Sequence, residues 1–209
     1  RLIPAYLDAL FGEIDAAGEA ARRAGKTVRT VYIGGGTPTT LAPDQLKALL
    51  DRLHTAFDLA PGTEFTVEAG RPDTITREKL EAIRDGGGNR ISVNPQTMSD
   101  LVLEAIGRSH RAEDIRQAYA LAREVRVGAI NMDLIAGLPA DTPAGFAATL
   151  DEVIGMDPEN ITVHTLALKK GARLRQENVT LPSGADVAHM LDFAWSALRA
   201  AGYQPYYLY

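Results

Sequence analysis

The segment TVYIGGGTPTT, Thr30 to Thr40, sets the strand formers Val31, Tyr32 and Ile33 directly before Gly34, Gly35 and Gly36. β-Branched and aromatic side chains suit a pleated, buried setting. Glycines take positive φ and let another molecule lie against bare backbone N–H and C=O groups. The chemistry open to such a cradle is recognition of a small polar ligand; the alternative is a strand that ends in a flexible turn. Pro38 stiffens the turn after the glycines and fixes where their backbone is aimed.

Further polar residues recur where a strand-like run ends. Glu68 closes FTVE, Asn94 and Gln96 fall in RISVNPQT, Asn131 and Asp133 in INMDLIAGLP, and His164, Ala167, Lys169 and Lys170 in ITVHTLALKKG. A carboxylate on a strand face is costly unless something donates hydrogen bonds to it. Asp133 therefore requires a partner: a ligand, a loop that it caps, or Arg108 or Arg90. Glu68 poses the same question, Asn94 and Gln96 are able to hold a turn around Pro95, and His164 suits a barrel interior. The coincidence of these residues on successive strands favours one small polar ligand over separate accidents.

Two familiar glycine-loop chemistries are weakened. A P-loop closes with Gly-Lys-Ser/Thr, whereas this run continues Thr37-Pro38-Thr39-Thr40 and offers no lysine for a phosphate. A dinucleotide fingerprint has a third glycine where Thr39 stands, and its acidic partner follows at about 20 residues, well before Glu68.

Hydrophobic periodicity supplies the elements that must position these residues. Helices are expected over Ile3 to Ala24, Pro43 to Phe57, Thr76 to Asp85, Asp100 to Ile106, Ala112 to Glu124, Pro143 to Met156 and Ala185 to Ala201. Strands are expected over Val28 to Ile33, Glu64 to Glu68, Arg90 to Asn94, Ala129 to Ile135 and Asn160 to Leu168, with Tyr206 to Tyr209 opening one more. Thr74 or Thr76 is placed to cap the third helix. This alternation calls for a parallel sheet joined by right-handed crossovers, most simply a closed or partly closed barrel in a single domain. Ligands of such barrels bind at the C-terminal strand ends, where the residues named above fall. No sequence repeat underlies the alternation.

The 209 residues carry 22 Lys plus Arg against 27 Asp plus Glu, a balance of −5 that favours neither nucleic acid nor an anionic membrane as partner. No apolar run approaches the roughly 20 residues that span a bilayer, and no signal peptide opens the chain; the expected compartment is the cytoplasm. Cysteine is absent, which removes disulfides, thiolate catalysis and cysteine-ligated clusters from these residues. A start at Arg1 and an end in PYYLY read as a fragment, incomplete at both ends.

GGGTP after the first strand, a Glu ending the second, Ser-x-x-x-Gln in ISVNPQT, GRSH, and NMDLIAGLP, in this order, resemble the radical S-adenosylmethionine enzymes of the oxygen-independent coproporphyrinogen III oxidase group. EAGRPDTI, VNPQTM and VHTLALKKGARL resemble the coproporphyrinogen dehydrogenase branch more than the haem chaperone branch. The resemblance covers nearly the whole chain. It implies a partial (β/α)6 TIM-like barrel with parallel strands.

By that resemblance the cofactors are S-adenosylmethionine and a 4Fe-4S cluster. Gly34, Gly35, Gly36 and Thr37 would accept from the methionyl amino group, and Glu68 would contact the same end. Gln96 and Asp133 would bind the ribose hydroxyls, Arg108, at the start of the next helix, the methionine carboxylate, and Ala167 would lie against the adenine. The implied activity is radical oxidative decarboxylation of coproporphyrinogen III propionates to vinyl groups, with a tetrapyrrole substrate and an electron donor such as flavodoxin or ferredoxin. Arg71, Lys169, Lys170 and Arg173 are candidates for propionates, and Tyr203, Tyr206, Tyr207 and Tyr209 for the macrocycle; solvated loop charges and an aromatic edge strand are the competing accounts.

The family's Cys-x-x-x-Cys-x-x-Cys loop has no counterpart here. Its place in the family is after an earlier strand, upstream of Arg1, so the expectation is that the first strand and the cluster ligands lie outside this chain and that the chain alone is inactive. A homologue that has lost its cysteines is the other reading.

Overall fold

The computed structural model describes residues 2–167 and 179–206. Its strands are β1 (Val28–Ile33), β2 (Leu59–Glu68), β3 (Arg90–Gln96), β4 (Ala129–Ala136) and β5 (Asn160–Thr165). The described helices are α1 (Ile3–Arg23), α2 (Pro43–Ala56), α3 (Arg77–Asp85), α4 (Asp100–Ala105), α5 (Ala112–Val125), α6 (Pro143–Met156) and α7 (Gly184–Ala200). The sheet order is β1-β2-β3-β4-β5, and the β1–β2, β2–β3 and β4–β5 pairs are parallel. Each crossover sets the next strand beside the last, the order of a barrel wall, with no reversal of the kind that makes a doubly wound sheet. The α/β class and the parallel barrel strands expected from the sequence are found, five of them among the described residues; of the proposed last strand only Tyr206 is described.

The chain forms two compact units, Arg1–Ser92 with Ala118–Ile130, and Val93–Gln117 with Asn131–Tyr209. In the first, α1 turns Leu7, Ile14 and Gly18 inward against α2, where Leu46, Leu49 and Ala56 are buried. Gly18 lies over the Ala56 backbone, with no room for a Cβ. Phe65 and Val67 of β2, Leu80 and Ile83 of α3, and Ile91 of β3 are also buried in this unit. In the second unit Met132 and Leu134 of β4 are buried, as are Phe146, Leu150 and Val153 of α6 and Met190 and Ala194 of α7.

Helix starts follow their caps. Thr76, Ser99, Thr142 and Ser183 each accept a backbone N–H from the first turn of α3, α4, α6 and α7. Asp186 returns a bond to the Ser183 N–H, completing a capping box. Of the two cap candidates for α3, Thr76 is the cap; Thr74 closes the turn before it.

β2 begins at Leu59, five residues before the expected Glu64. Pro61-Gly62 reads as a turn in sequence, yet the chain pairs on both sides of it: Val28 is opposite Leu59 and Thr30 opposite Glu64, with the extra residues bulged between.

Candidate functional site

In the first unit Gly34, Gly35 and Gly36 are exposed at the end of β1. Gly35 (φ +78°) and Gly36 (φ +64°) take the left-handed conformation, but Gly34 does not. Its role is space: a Cβ there would stand 2.6 Å from Tyr32 Cε1 and 3.1 Å from Glu68 Cδ. These two side chains meet across β1 and β2, the Tyr32 hydroxyl donating to Glu68 Oε1 at 2.6 Å. The half-buried Glu68 is thus held beside the glycines by the phenol of Tyr32, whose residue type in the sequence signals only a strand.

A single local device follows both strands. Thr37-Pro38-Thr39-Thr40 and Arg71-Pro72-Asp73-Thr74 each form a 3-10 turn, in which Thr40 Oγ1 donates to Thr37 O and Thr74 Oγ1 to Arg71 O, both at 2.8 Å. The turns are stapled together. Thr39 Oγ1 and Thr74 Oγ1 are 2.6 Å apart, and Lys79 Nζ donates to Thr39 O at 2.6 Å and Thr74 O at 3.0 Å. That Lys79, Thr39 and Thr74 join the two turns is not foreseen from the sequence; the recurring x-Pro-x-Thr is the signal available.

A hollow of about 450 Å³ also touches Gly34 to Thr37, on the α1 side of β1. Leu7, Leu10, Ile14, Ile33 and Leu49 line it, aliphatic groups that match no charged ligand.

In the second unit β3 ends on Gln96 with φ +70°, a left-handed conformation that a non-glycine residue adopts only when its surroundings enforce it. The enforcement comes from the next two residues: Thr149 of α6 is buried and its Oγ1 lies 3.3 Å from Thr97 Oγ1 and accepts the Met98 N–H at 3.2 Å. Gln96 is half-buried, its Nε2 3.4 Å from Asn94 O. Arg108 lies in the turn after α4, its N–H bonded to Leu103 O at 2.9 Å, rather than at the start of α5, which begins at Ala112. Gly107 (φ +73°) ends α4 and so directs the chain into that turn.

On β4, Asn131 and Asp133 share one face. Asn131 Nδ2 donates to Asp133 Oδ1 at 2.7 Å, and Thr162 of β5 donates to Asn131 Oδ1 at 3.0 Å. Asp133 has no ion pair with any described residue; the partner its burial calls for is Asn131. Arg90 pairs instead with Glu64 at 3.7 Å. His164 is half-buried opposite Ile135, and Ala167 is exposed just past β5.

Of the candidates for a substrate, Arg71 is exposed and Tyr206 is 74% exposed. Tyr203 donates to Pro158 O at 2.7 Å, which ties it to the protein. Lys169, Lys170, Arg173, Tyr207 and Tyr209 lie outside the described residues.

Asp141, in the loop between β4 and α6, is buried. Its Oδ1 accepts the Thr142 N–H at 2.8 Å, while Oδ2 has no partner among the described residues. Burial pushes this carboxyl above the ordinary aspartate value of 3.8, and the Thr142 N–H pulls partly the other way. The folded state therefore holds its proton to higher pH than the unfolded chain, and Asp141 costs stability as pH rises above 3.8. Asp141→Asn keeps the Oδ1 acceptor and removes that cost. Thermal melts are expected to move in favour of the variant as pH rises from 4 to 7; a difference independent of pH would refute it.

The family description "Radical SAM superfamily" matches residues 8–153. The chain is 37% identical to the oxygen-independent coproporphyrinogen-III oxidase-like protein HemZ of Bacillus subtilis, over 99% of this chain and 42% of that protein. It is 32% identical to the heme chaperone HemW of the same organism (96% of this chain, 54% of that protein). Against the oxygen-independent coproporphyrinogen III oxidase of Pseudomonas aeruginosa the identity is 33% (95% and 44%). The solved structure of coproporphyrinogen III oxidase HemN of Escherichia coli, described as a radical SAM enzyme, superposes with a TM-score of 0.86 at 32% identity, covering 96% of this chain and 46% of that one. The chain thus spans about half the length of the relatives it matches.

Radical SAM proteins use S-adenosylmethionine and a 4Fe-4S cluster. The residues here fit the first: an exposed glycine cradle beside a carboxylate, and a carboxylate with an oxygen to offer. They do not fit the second, since the 209 residues include no cysteine and no cluster of His, Asp and Glu among the described residues could replace one. With 146 of its residues, 8 to 153, matched by the family description, the chain belongs to the radical SAM superfamily.

Proposed function

We propose that this chain is the S-adenosylmethionine-binding part of a protein that oxidatively decarboxylates coproporphyrinogen III propionates to vinyl groups in porphyrin biosynthesis. Gly34, Gly35, Gly36 and Thr37 take the methionyl amino group together with Glu68. Gln96 and Asp133 take the ribose hydroxyls, Arg108 the carboxylate, and Ala167 faces the adenine. The roles are chemically apt: glycine allows close approach, carboxylate and amide oxygens accept hydroxyls, and a guanidinium forks onto a carboxylate. The observation that carries the reading is the Tyr32–Glu68 pair at 2.6 Å beside Gly34, which leaves a fixed acceptor next to open backbone.

The cluster ligands are not among these residues, so what the chain does by itself is bind and orient. The substrate reading rests on the oxidase relatives and on EAGRPDTI and VNPQTM; flavodoxin or ferredoxin as electron donor follows from the same resemblance. The chaperone relatives, at 32% identity for the Bacillus protein, support a second reading in which the same cradle serves a haem-binding protein without decarboxylation. Anaerobic conversion of coproporphyrinogen III to protoporphyrinogen IX by the protein that carries this chain decides between them. Stoichiometric haem binding without turnover favours the chaperone.

Lys79→Met tests the staple beneath the cradle. The variant loses two hydrogen bonds from a charged donor, each worth about 1.5–3 kcal/mol, and loosens the Gly34 to Thr40 turn on the Pro72 turn, to which the Thr39–Thr74 contact still joins it. Calorimetry is expected to give about fivefold weaker S-adenosylmethionine binding and thermal melts a lower midpoint. Equal affinity would separate the staple from the site.

A further inference from the structure

Asp133 does not stand alone on β4. It ends a directed chain of hydrogen bonds that starts on the neighbouring strand, Thr162 Oγ1 to Asn131 Oδ1 at 3.0 Å and Asn131 Nδ2 to Asp133 Oδ1 at 2.7 Å. The direction follows from chemistry. A carboxylate only accepts, so the amide must turn its NH₂ toward Asp133 and its oxygen toward Thr162, and the hydroxyl must donate. The carboxylate fixes which end of the amide faces it, and Thr162 engages the other end, so loss of the hydroxyl takes the β5 donor from a buried amide oxygen and loosens its hold on Asp133.

The three residues are fixed by the sheet. Asn131 and Asp133 are two apart and share a face, and Thr162 lies directly opposite Asp133 in the β4–β5 register. Asn131 is 5% exposed, so bulk water is poorly placed to substitute for the threonine hydroxyl. Thr162 is β-branched and stiff at χ1, which suits it to hold one orientation. The result is a half-buried carboxylate with Oδ1 engaged and Oδ2 free of hydrogen bonds to any described residue. Such a group presents one fixed lone-pair edge, which matches a ligand bearing hydroxyl donors.

We propose that Thr162 and Asn131 are positioning residues that orient Asp133 toward the vicinal hydroxyls of a nucleoside ligand. The inference rests on the reading of Asp133 as a ribose ligand and extends it to residues on which that reading is silent. Thr162 acts only through Asn131, so its effect must vanish when Asp133 is absent. A purely structural threonine has no such dependence.

The test is calorimetric titration of the protein that carries this chain with S-adenosylmethionine, with a thermal melt for each variant. Thr162→Val is expected to bind about fivefold more weakly, and Thr162→Ser, which keeps the donor, to return within twofold of the parent. Thr162→Val added to Asp133→Ala is expected to cause no further loss. The relay is overturned if Thr162→Val binds as the parent does, or if its loss persists in full without Asp133. Unchanged binding by Asp133→Ala alone overturns the ribose reading and the relay with it, whereas a loss there with none at Thr162→Val overturns the relay only. Should Thr162→Val melt early, the serine variant and Asn131→Asp carry the decision: the former must bind normally and the latter, which sets carboxylate against carboxylate, must not.

Discussion

Asp133→Ala is expected to lower the affinity of the protein that carries this chain for S-adenosylmethionine by about 10- to 100-fold while leaving it folded. Hydrogen bonds to a charged group contribute about 1.5–3 kcal/mol each, and every 1.4 kcal/mol is a factor of ten. Folding is spared because Asp133 is half-buried and its hydrogen bond is with Asn131, which keeps its bond to Thr162. The expected record is a thermal midpoint within a few degrees of the parent and a weakened or absent binding isotherm. An unchanged isotherm would remove Asp133 from the site. Asp133→Asn, of the same shape, guards against a change in packing and is expected to bind weakly as well, because the uncharged amide is a poorer acceptor.

Gly128→Ala acts on the fold instead, with a loss of about 2–4 kcal/mol. Gly128 has φ +108°, where an L side chain is strained by about 1–3 kcal/mol, and its added Cβ would run into the Asn89 backbone carbonyl. That carbonyl is also the acceptor for the Ala129 N–H at 3.0 Å. Asn89 is a fixed point: its side chain accepts the Phe65 N–H and donates to Thr63 O, both at 2.9 Å, so it ties the start of β3 to β2. The backbone can make room only by releasing these bonds. For a chain of this size the midpoint is expected to fall by roughly 10 °C. A melt within 2 °C of the parent would show that this junction yields without releasing the Asn89 bonds.

The sequence by itself determined the class of fold and the order of its elements. Period-2 and period-3.6 patterns are local, so the five strands and seven helices of the described residues were legible to within a residue or two at most ends. The GGGTP run, Glu68, Gln96 and Asp133 were legible as candidates for the same reason: each is a residue type at odds with its local setting. What the sequence left open depended on partners distant in the chain. Pro61-Gly62 reads as a turn, and only pairing of Leu59 with Val28 makes it a bulge within β2. Gly34 reads as one more flexible glycine, and only the meeting of Tyr32 with Glu68, 36 residues away, turns it into a requirement for space.

The partner of Asp133 illustrates the same division. The arginines at 90 and 108 were natural candidates on charge, but β4 pleating puts Asn131 two residues away on the same face, and the β4–β5 register brings in Thr162. Lys79 was invisible as a site residue because a lysine in a helix is ordinarily a solvated one; the x-Pro-x-Thr turns gather two carbonyls around it. Residue types and spacing are fixed by the chain, so they state which groups are unsatisfied. Which groups satisfy them is set by register and by the loops that tertiary packing brings together, because a hydrogen bond depends on ångström-scale placement that no linear pattern encodes.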